Sequence, residues 1–313
     1  MAQIRELHST SLSEPTVIHH PDMVYVPGGL LFRPSQQHAT HGKPLVSPNE
    51  VSGFWMDVTV VTNADFARFA GATGYVTVAE RLLEHANGTN AVTTFRIGGG
   101  MVFRGSTEYA RDSRVRGTWR YDAGACWRAP EGAGSSIVGR YSHPVVQIAY
   151  EDALAYAAWA HKDLPSEAEW EFASRCNSDD DAAGCNEPER NAPAPCTLPV
   201  RSSQSNGYGL YEMFGNVWQW TVDTHHECRV TQLQASCSQI GPRGKDADSS
   251  PGRTVRFQPR KILKGGSYLC VAGCGCRRPT ARHVQAVDTA ACHVGFRCVW
   301  RSQEALARKG FAS

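Results

Sequence analysis

No stretch of the 313 residues is long and apolar enough to span a membrane, and no lysine- and arginine-rich run or basic helix marks a surface for nucleic acid. The formal charge of +2 is spread along the chain, so neither nucleic acid nor a membrane is an expected partner. Met1 to Pro21 are polar, with Arg5, Glu6 and His8 where a secretory signal needs an apolar core, and a cytoplasmic location is the expectation. Internal repeats are missing, which points to one domain with many loops. Nucleotide-binding signatures are missing too: the Gly98-Gly99-Gly100 run is not followed by the helix and lysine that a phosphate cradle needs. Nothing marks a serine nucleophile.

Cysteine, by contrast, is abundant. Eleven cysteines are more than a reduced cytosolic protein usually carries, and an odd number cannot pair completely within one chain. Cys270, Cys274 and Cys276 fall within seven residues, directly after Lys264-Gly265-Gly266-Ser267-Tyr268-Leu269. Thiolates select soft ions such as Cu(I) or zinc over hard cations, and the small residues between them allow a tight turn. Disulfide pairing of one or two of these sulfurs is the structural alternative. Cys176, Cys185 and Cys196 lie in a polar, proline-rich stretch that matches no zinc spacing, and no function is assigned to them.

Glycine and proline recur every few residues, so regular elements are short. A helix is expected after Thr62, with Asp65 as its capping partner and Phe66, Phe69 and Ala70 on one face, ended by Gly71 and Gly74. A second spans about Glu151 to His161. A third starts at Ser166, with Glu169 at the reciprocal capping position and acidic residues in its first turn. Strands are expected at Met23 to Val26, Gly53 to Thr59, Val145 to Ile148, Lys261 to Lys264 and Gly295 to Trp300.

A series of ordered motifs gives these short elements a context. Met23-Val24-Tyr25-Val26-Pro27-Gly28-Gly29 and Gly53-Phe54-Trp55-Met56-Asp57 are followed by Gly71-Ala72-Thr73-Gly74-Tyr75 and His143-Pro144-Val145-Val146. Later come Leu164-Pro165-Ser166-Glu167-Ala168-Glu169-Trp170-Glu171, Asn206-Gly207-Tyr208-Gly209-Leu210-Tyr211, Gly215-Asn216-Val217-Trp218-Gln219-Trp220, Lys264-Gly265-Gly266-Ser267 and Gly295-Phe296-Arg297-Cys298. Together they resemble the formylglycine-generating enzyme, or sulfatase-modifying factor, family. The resemblance implies an α+β fold, a single compact domain related to C-type lectin-like folds and low in regular secondary structure. Residues 22–302 would form it, between a polar extension over 1–21 and a tail over 303–313.

Members of that family oxidise a cysteine of a sulfatase, within Cys-x-Pro-x-Arg, to formylglycine using O2 and Cu(I). The resemblance therefore implies a cysteine-containing protein or peptide as partner. Family members place two copper-binding cysteines with four residues between them after Lys-Gly-Gly-Ser-x-x. Cys270 takes the first position. Counting back from Arg278-Pro279-Thr280-Ala281-Arg282-His283 puts Cys274 on the second, with one residue deleted; Cys276 is either the true second ligand or a third thiolate. The same resemblance puts Ser267 near the oxygen-binding pocket, makes Trp218 or Trp220 its wall, and offers Arg278 and Arg282 to the substrate.

Two departures accompany these matches. Cys126 stands in Gly124-Ala125-Cys126-Trp127-Arg128 where the family has asparagine, and its structural reading is a small buried apolar residue. Of the calcium sites that the family implies, one would fall in the replaced segment 177–200. The other would use Asn216, Val217 and Gln219, where a neutral amide attracts a hard dication less than a carboxylate does. His225, His226, His283 and His293 suggest iron only weakly. The helical domain that supplies histidines in related sulfoxide synthases is missing, and neighbouring histidines point apart on most backbones.

Overall fold

The computed structural model describes residues 22–34, 46–86, 93–105, 118–175, 196–225, 259–270 and 275–302. In chain order its strands are β1 (Met23–Val26), β2 (Gly29–Pro34), β3 (Val46–Val51), β4 (Phe54–Asp57), β5 (Leu82–Ala86), β6 (Thr93–Ile97), β7 (Gly100–Arg104) and β8 (Thr118–Asp122). They continue with β9 (Trp218–Thr224), β10 (Arg260–Lys264), β11 (His283–Ala286), β12 (Val294–Gly295) and β13 (Val299–Trp300). The helices are α1 (Asn63–Thr73), α2 (Tyr150–Trp159) and α3 (Glu167–Ser174).

Local capping chemistry sets where the helices begin. The Thr62 hydroxyl accepts from the Asp65 N–H at 3.2 Å while the Asp65 carboxylate accepts from the Thr62 N–H at 3.1 Å, closing the expected box around α1. Gly74 ends that helix in the left-handed conformation, φ 68°. Ser166 and Glu169 form the same box at α3, and Glu169 is held further by Arg301 at 2.7 Å. α2 lacks a polar cap residue, because Ala149 stands there. Asp152 substitutes, accepting from the Ala149 N–H at 2.9 Å, the Val78 N–H at 2.9 Å and the Tyr75 hydroxyl at 3.1 Å.

Burial pushes the Asp152 carboxyl up to about 6, although these three donors pull the other way. A raised carboxyl binds its proton more tightly folded than unfolded, so its contribution to stability falls as pH rises from about 4 to about 6 and is flat above. Asp152→Asn puts an amide N–H against one of the donors. We expect it to destabilise at both pH values in urea titrations, with the cost shrinking by about 2 kcal/mol between pH 4.5 and 7.5. A cost that grows with pH would contradict this.

The strands assemble into two sheets that share no strand. One has the order β1-β4-β13 and the other β11-β10-β9-β12, with the ribbons β2-β3, β5-β6 and β7-β8 beside them. The expected strand at Gly295 to Trp300 is therefore two short ones. Gly295 belongs to the larger sheet beside Gln219, whereas Val299 pairs with Met56, and the chain crosses between sheets in three residues. Val145 to Ile148 is not a strand at all. Val145 N–H bonds the Val61 carbonyl, Gln147 N–H bonds the Ala291 carbonyl, and Gln147 takes φ 60°, so no single ladder forms. α2 begins one residue before the expected span and ends two before it, with left-handed His161 (φ 55°) just beyond.

The main core lies between α1, α2 and the larger sheet. Phe66, Tyr156, Trp220 and Phe296 are buried there, each worth roughly 1.5–3 kcal/mol. Cys270 and Cys276 belong to the same cluster. Among the described residues, no helix is long and apolar enough to cross a membrane.

Candidate active site

The leader to the cysteines is fixed by charge. Lys264, at the end of β10, is fully buried and bonds Glu171 at 2.7 Å and Glu167 at 3.3 Å, both on α3. Arg33 from β2 reaches Glu171 at 2.7 Å, and Arg282 grips Glu167 with two nitrogens. Burial pushes the Glu167 carboxyl up, but Arg282, Lys264 and Arg33 outweigh it and hold it below its ordinary value. Burial likewise lowers Lys264, against the pull of both carboxylates. The acidic first turn of α3 thus serves an interior ion network more than the helix dipole.

From Lys264 the chain turns immediately. Gly265 and Gly266 have φ 104° and 76°, and a side chain on Gly265 would meet the Met213 carbonyl at 2.8 Å. The turn delivers Ser267, whose N–H points at the Cys270 sulfur from 3.3 Å and whose hydroxyl lies 4.0 Å from it. Such donors stabilise charge on sulfur. Cys270 Sγ and Cys276 Cβ each lie 3.5 Å from the point where a Gly266 side chain would start, so the two cysteines are neighbours, both buried. Cys274 lies outside the described residues.

Around this pair stand groups with separate anchors. Trp218 is buried in the same cluster, stacks on the His283 ring at 5.2 Å, and gives its backbone N–H to the His293 carbonyl. Trp220 gives its indole N–H to the Ile148 carbonyl at 2.9 Å and is a core residue. Tyr268 donates its hydroxyl to the Cys292 sulfur at 3.4 Å. Arg277 reaches the Cys270 carbonyl at 3.5 Å. Neither Tyr268 nor Arg277 was expected; Arg277 differs from its neighbour Arg278 only in the direction the turn gives it. Arg278 is exposed, and Arg282 is committed to the ion network.

This arrangement of leader, turn and paired sulfurs has relatives. The family model for the sulfatase-modifying factor enzyme 1-like domain matches residues 9–302. The chain belongs to this family. It is 37% identical to a formylglycine-generating enzyme of Mycobacterium tuberculosis over 301 residues, covering 89% of this chain and 97% of the relative. A formylglycine-generating enzyme of Thermomonospora curvata is 35% identical, over 88% of this chain and 92% of its own. The chain is also 28% identical to an inactive C-alpha-formylglycine-generating enzyme 2 of Mus musculus, over 89% of this chain and 85% of that protein.

The donors implied for metals fare differently within this family member. Two buried, adjacent sulfurs with an N–H donor suit a soft ion. Asn216, Val217 and Gln219 do not suit calcium. The Gln219 oxygen accepts from Trp170 and from Arg297, each at 2.8 Å, and its amide N–H donates to the Glu212 carbonyl at 2.9 Å. Asn216 spends both amide atoms on Leu198. A dication placed there would face a buried guanidinium. The acid of this neighbourhood is Glu212, raised by burial, with Oε1 on the Ser202 N–H and Oε2 without a partner.

The outlying sulfurs are dispersed. Cys126 and Cys196 are half-buried and Cys292 and Cys298 buried, all outside disulfides. Cys126 closes a turn with Ala129 through backbone bonds. Cys176 and Cys185 lie outside the described residues, as does His226. Among the described residues, no three His, Cys, Asp or Glu side chains converge as a metal cluster. His283 and His293 do meet, at 5.9 Å between ring centres, which their sequence positions gave no reason to expect. Burial holds both imidazoles neutral, His283 pushed down to about 4 and His293 well below its ordinary value.

Proposed function

We propose that this chain converts a cysteine of a protein or peptide substrate to formylglycine with O2, using Cu(I) held by Cys270 and a second cysteine. The observation that carries the reading is the adjacency of the buried Cys270 and Cys276 side chains below the Ser267 donors, at the end of a leader fixed by Lys264. Its relatives named formylglycine-generating enzymes support the same reading. Bound Cu(I) supplies a soft centre for a substrate thiolate and electron exchange with O2.

The remaining chemistry belongs to the substrate and to this chain's residues. Loss of two electrons and two protons from the substrate's CH2–SH leaves a thioaldehyde, with O2 reduced to hydrogen peroxide. Water then replaces the sulfur, releasing hydrogen sulfide and the aldehyde. Ser267 orients the Cys270 sulfur, Trp218 excludes water from one side, and Arg277 braces the thiol loop through the Cys270 carbonyl. A sulfatase carrying Cys-x-Pro-x-Arg is the proposed substrate, and a reducing, cytoplasmic compartment the proposed setting, since Cys126, Cys196, Cys292 and Cys298 stand outside disulfides.

The test is to supply the reduced protein with Cu(I), O2 and a Cys-x-Pro-x-Arg peptide and to capture aldehyde with a hydrazide. Aldehyde in many-fold excess over enzyme is the expected result. Tight Cu(I) binding without aldehyde would overturn it and favour a noncatalytic metal- or partner-binding protein, the class suggested by the relative named as inactive.

A further inference from the structure

Beyond the thiol loop, the least satisfied polar atoms in the molecule's interior are ring nitrogens. His293 is fully buried and His283 is 6% exposed. Neither nitrogen of His293 has a hydrogen-bond partner, and nor does Nε2 of His283. Buried polar atoms are nearly always paired, and leaving one unpaired costs about 1–3 kcal/mol. Three such atoms on two touching rings are an anomaly with a location.

Each neutral imidazole has one N–H and one lone pair. The edge-to-face contact of the rings, 71° between planes, offers a π face to one N–H at most. It does nothing for the lone pairs. Gln285 hydrogen-bonds the remaining nitrogen of His283, in the sense that draws the ring proton to that side and leaves the lone pair on Nε2. An outer partner that fixes the tautomer in this way is characteristic of ligating histidines.

The spacing suits one ion. Midway between ring centres 5.9 Å apart, an ion would sit about 3 Å from each centre. That is a metal–nitrogen bond of about 2 Å plus roughly 1 Å from ring centre to ring nitrogen. The walls also suit a cation: Trp218 stacks on His283 at 5.2 Å and Trp119 lies 4.7 Å from His293, both presenting electron-rich rings. No carboxylate or thiol joins the pair among the described residues to form a cluster of three. A divalent ion, buried with two neutral ligands and no compensating anion, would be strongly penalised. A monovalent soft ion that accepts two imidazoles is the class that fits.

We propose that His283 and His293 form a second, two-coordinate site for Cu(I), separate from the cysteines and flanked by Trp218 and Trp119. The site does not depend on the thiol loop.

The experiment titrates Cu(I) anaerobically against a chromophoric competing chelator, following tryptophan emission. Unaltered protein is expected to hold two ions. Cys270→Ser/Cys274→Ser/Cys276→Ser is expected to hold one, with emission falling as it loads, and adding His283→Phe is expected to remove it. X-ray absorption on the triple-cysteine variant, which leaves both histidines intact, is expected to show nitrogen neighbours at about 2 Å and no sulfur. Gln285→Leu is expected to weaken that ion about 10–100-fold. A folded triple-cysteine variant that holds no Cu(I), or one whose ion is sulfur-bound, overturns the proposal. Two ions in unaltered protein that both survive His283→Phe would overturn it too. If unaltered protein and the triple-cysteine variant each hold one nitrogen-bound ion, the thiolate site has failed and this one stands.

Discussion

Cys270→Ser is expected to lower aldehyde formation at least about a thousandfold, on the order of 4 kcal/mol of barrier, while leaving the fold intact. The side chain is buried in the main core but its neighbours are small on the Gly266 side, and serine is smaller than cysteine. What serine cannot supply is a polarisable thiolate. The informative comparison is between Cys276→Ser and Cys274→Ser, each assayed for turnover and for Cu(I) retained against a competing chelator. Cys276 shares the pocket wall at Gly266 with Cys270, so we expect its loss to match that of Cys270. Full activity in Cys276→Ser, with none in Cys274→Ser, would assign the pair to Cys270 and Cys274. Retained activity in Cys270→Ser would remove the thiol loop from the mechanism.

Lys264→Met is expected to lower the unfolding free energy by about 3–5 kcal/mol, because it leaves Glu167 and Glu171 buried with two arginines but without the central cation. Methionine conserves most of the volume, so the loss reports charge more than packing. Pairing it with Glu171→Leu tests that reading. Removing both members of a buried pair is commonly near neutral, so the double variant should regain much of the stability, leaving Glu167 with Arg282 and Arg33. Urea unfolding followed by tryptophan emission measures both. A double variant less stable than Lys264→Met would show that the network is not the source of the effect.

Features with local causes were legible in the sequence. The capping boxes at Thr62 and Ser166 need partners only three residues away, and both helices form where that spacing puts them. The Lys264 leader and Cys270 were legible as a motif. The role of the α3 acids was not, because Glu167 and Glu171 look like exposed first-turn residues until Arg33, Lys264 and Arg282 arrive from distant parts of the chain. Val145 to Ile148 has strand-like composition, but its backbone bonds go to two separate segments. The calcium expectation failed on a side chain that the sequence could not locate: Arg297 belongs to a recognised motif, yet only the fold shows that it lies against Gln219. The meeting of His283 and His293 depends on two strands of one sheet bringing their ends to Trp218.

The order β1-β4-β13 has a consequence for how this protein is made. β4 is bounded by residues near the beginning of the fold on one side and by Val299 and Trp300 on the other. During synthesis, Phe54 to Asp57 must wait with one edge open for nearly the whole of the chain to leave the ribosome. The salt bridge from Arg33 to Glu171 and that from Arg282 to Glu167 impose the same delay on α3. Closure of such sequence-distant contacts is intrinsically slow, so the thiol site is a late product of folding, assembled only once both ends of the domain have met.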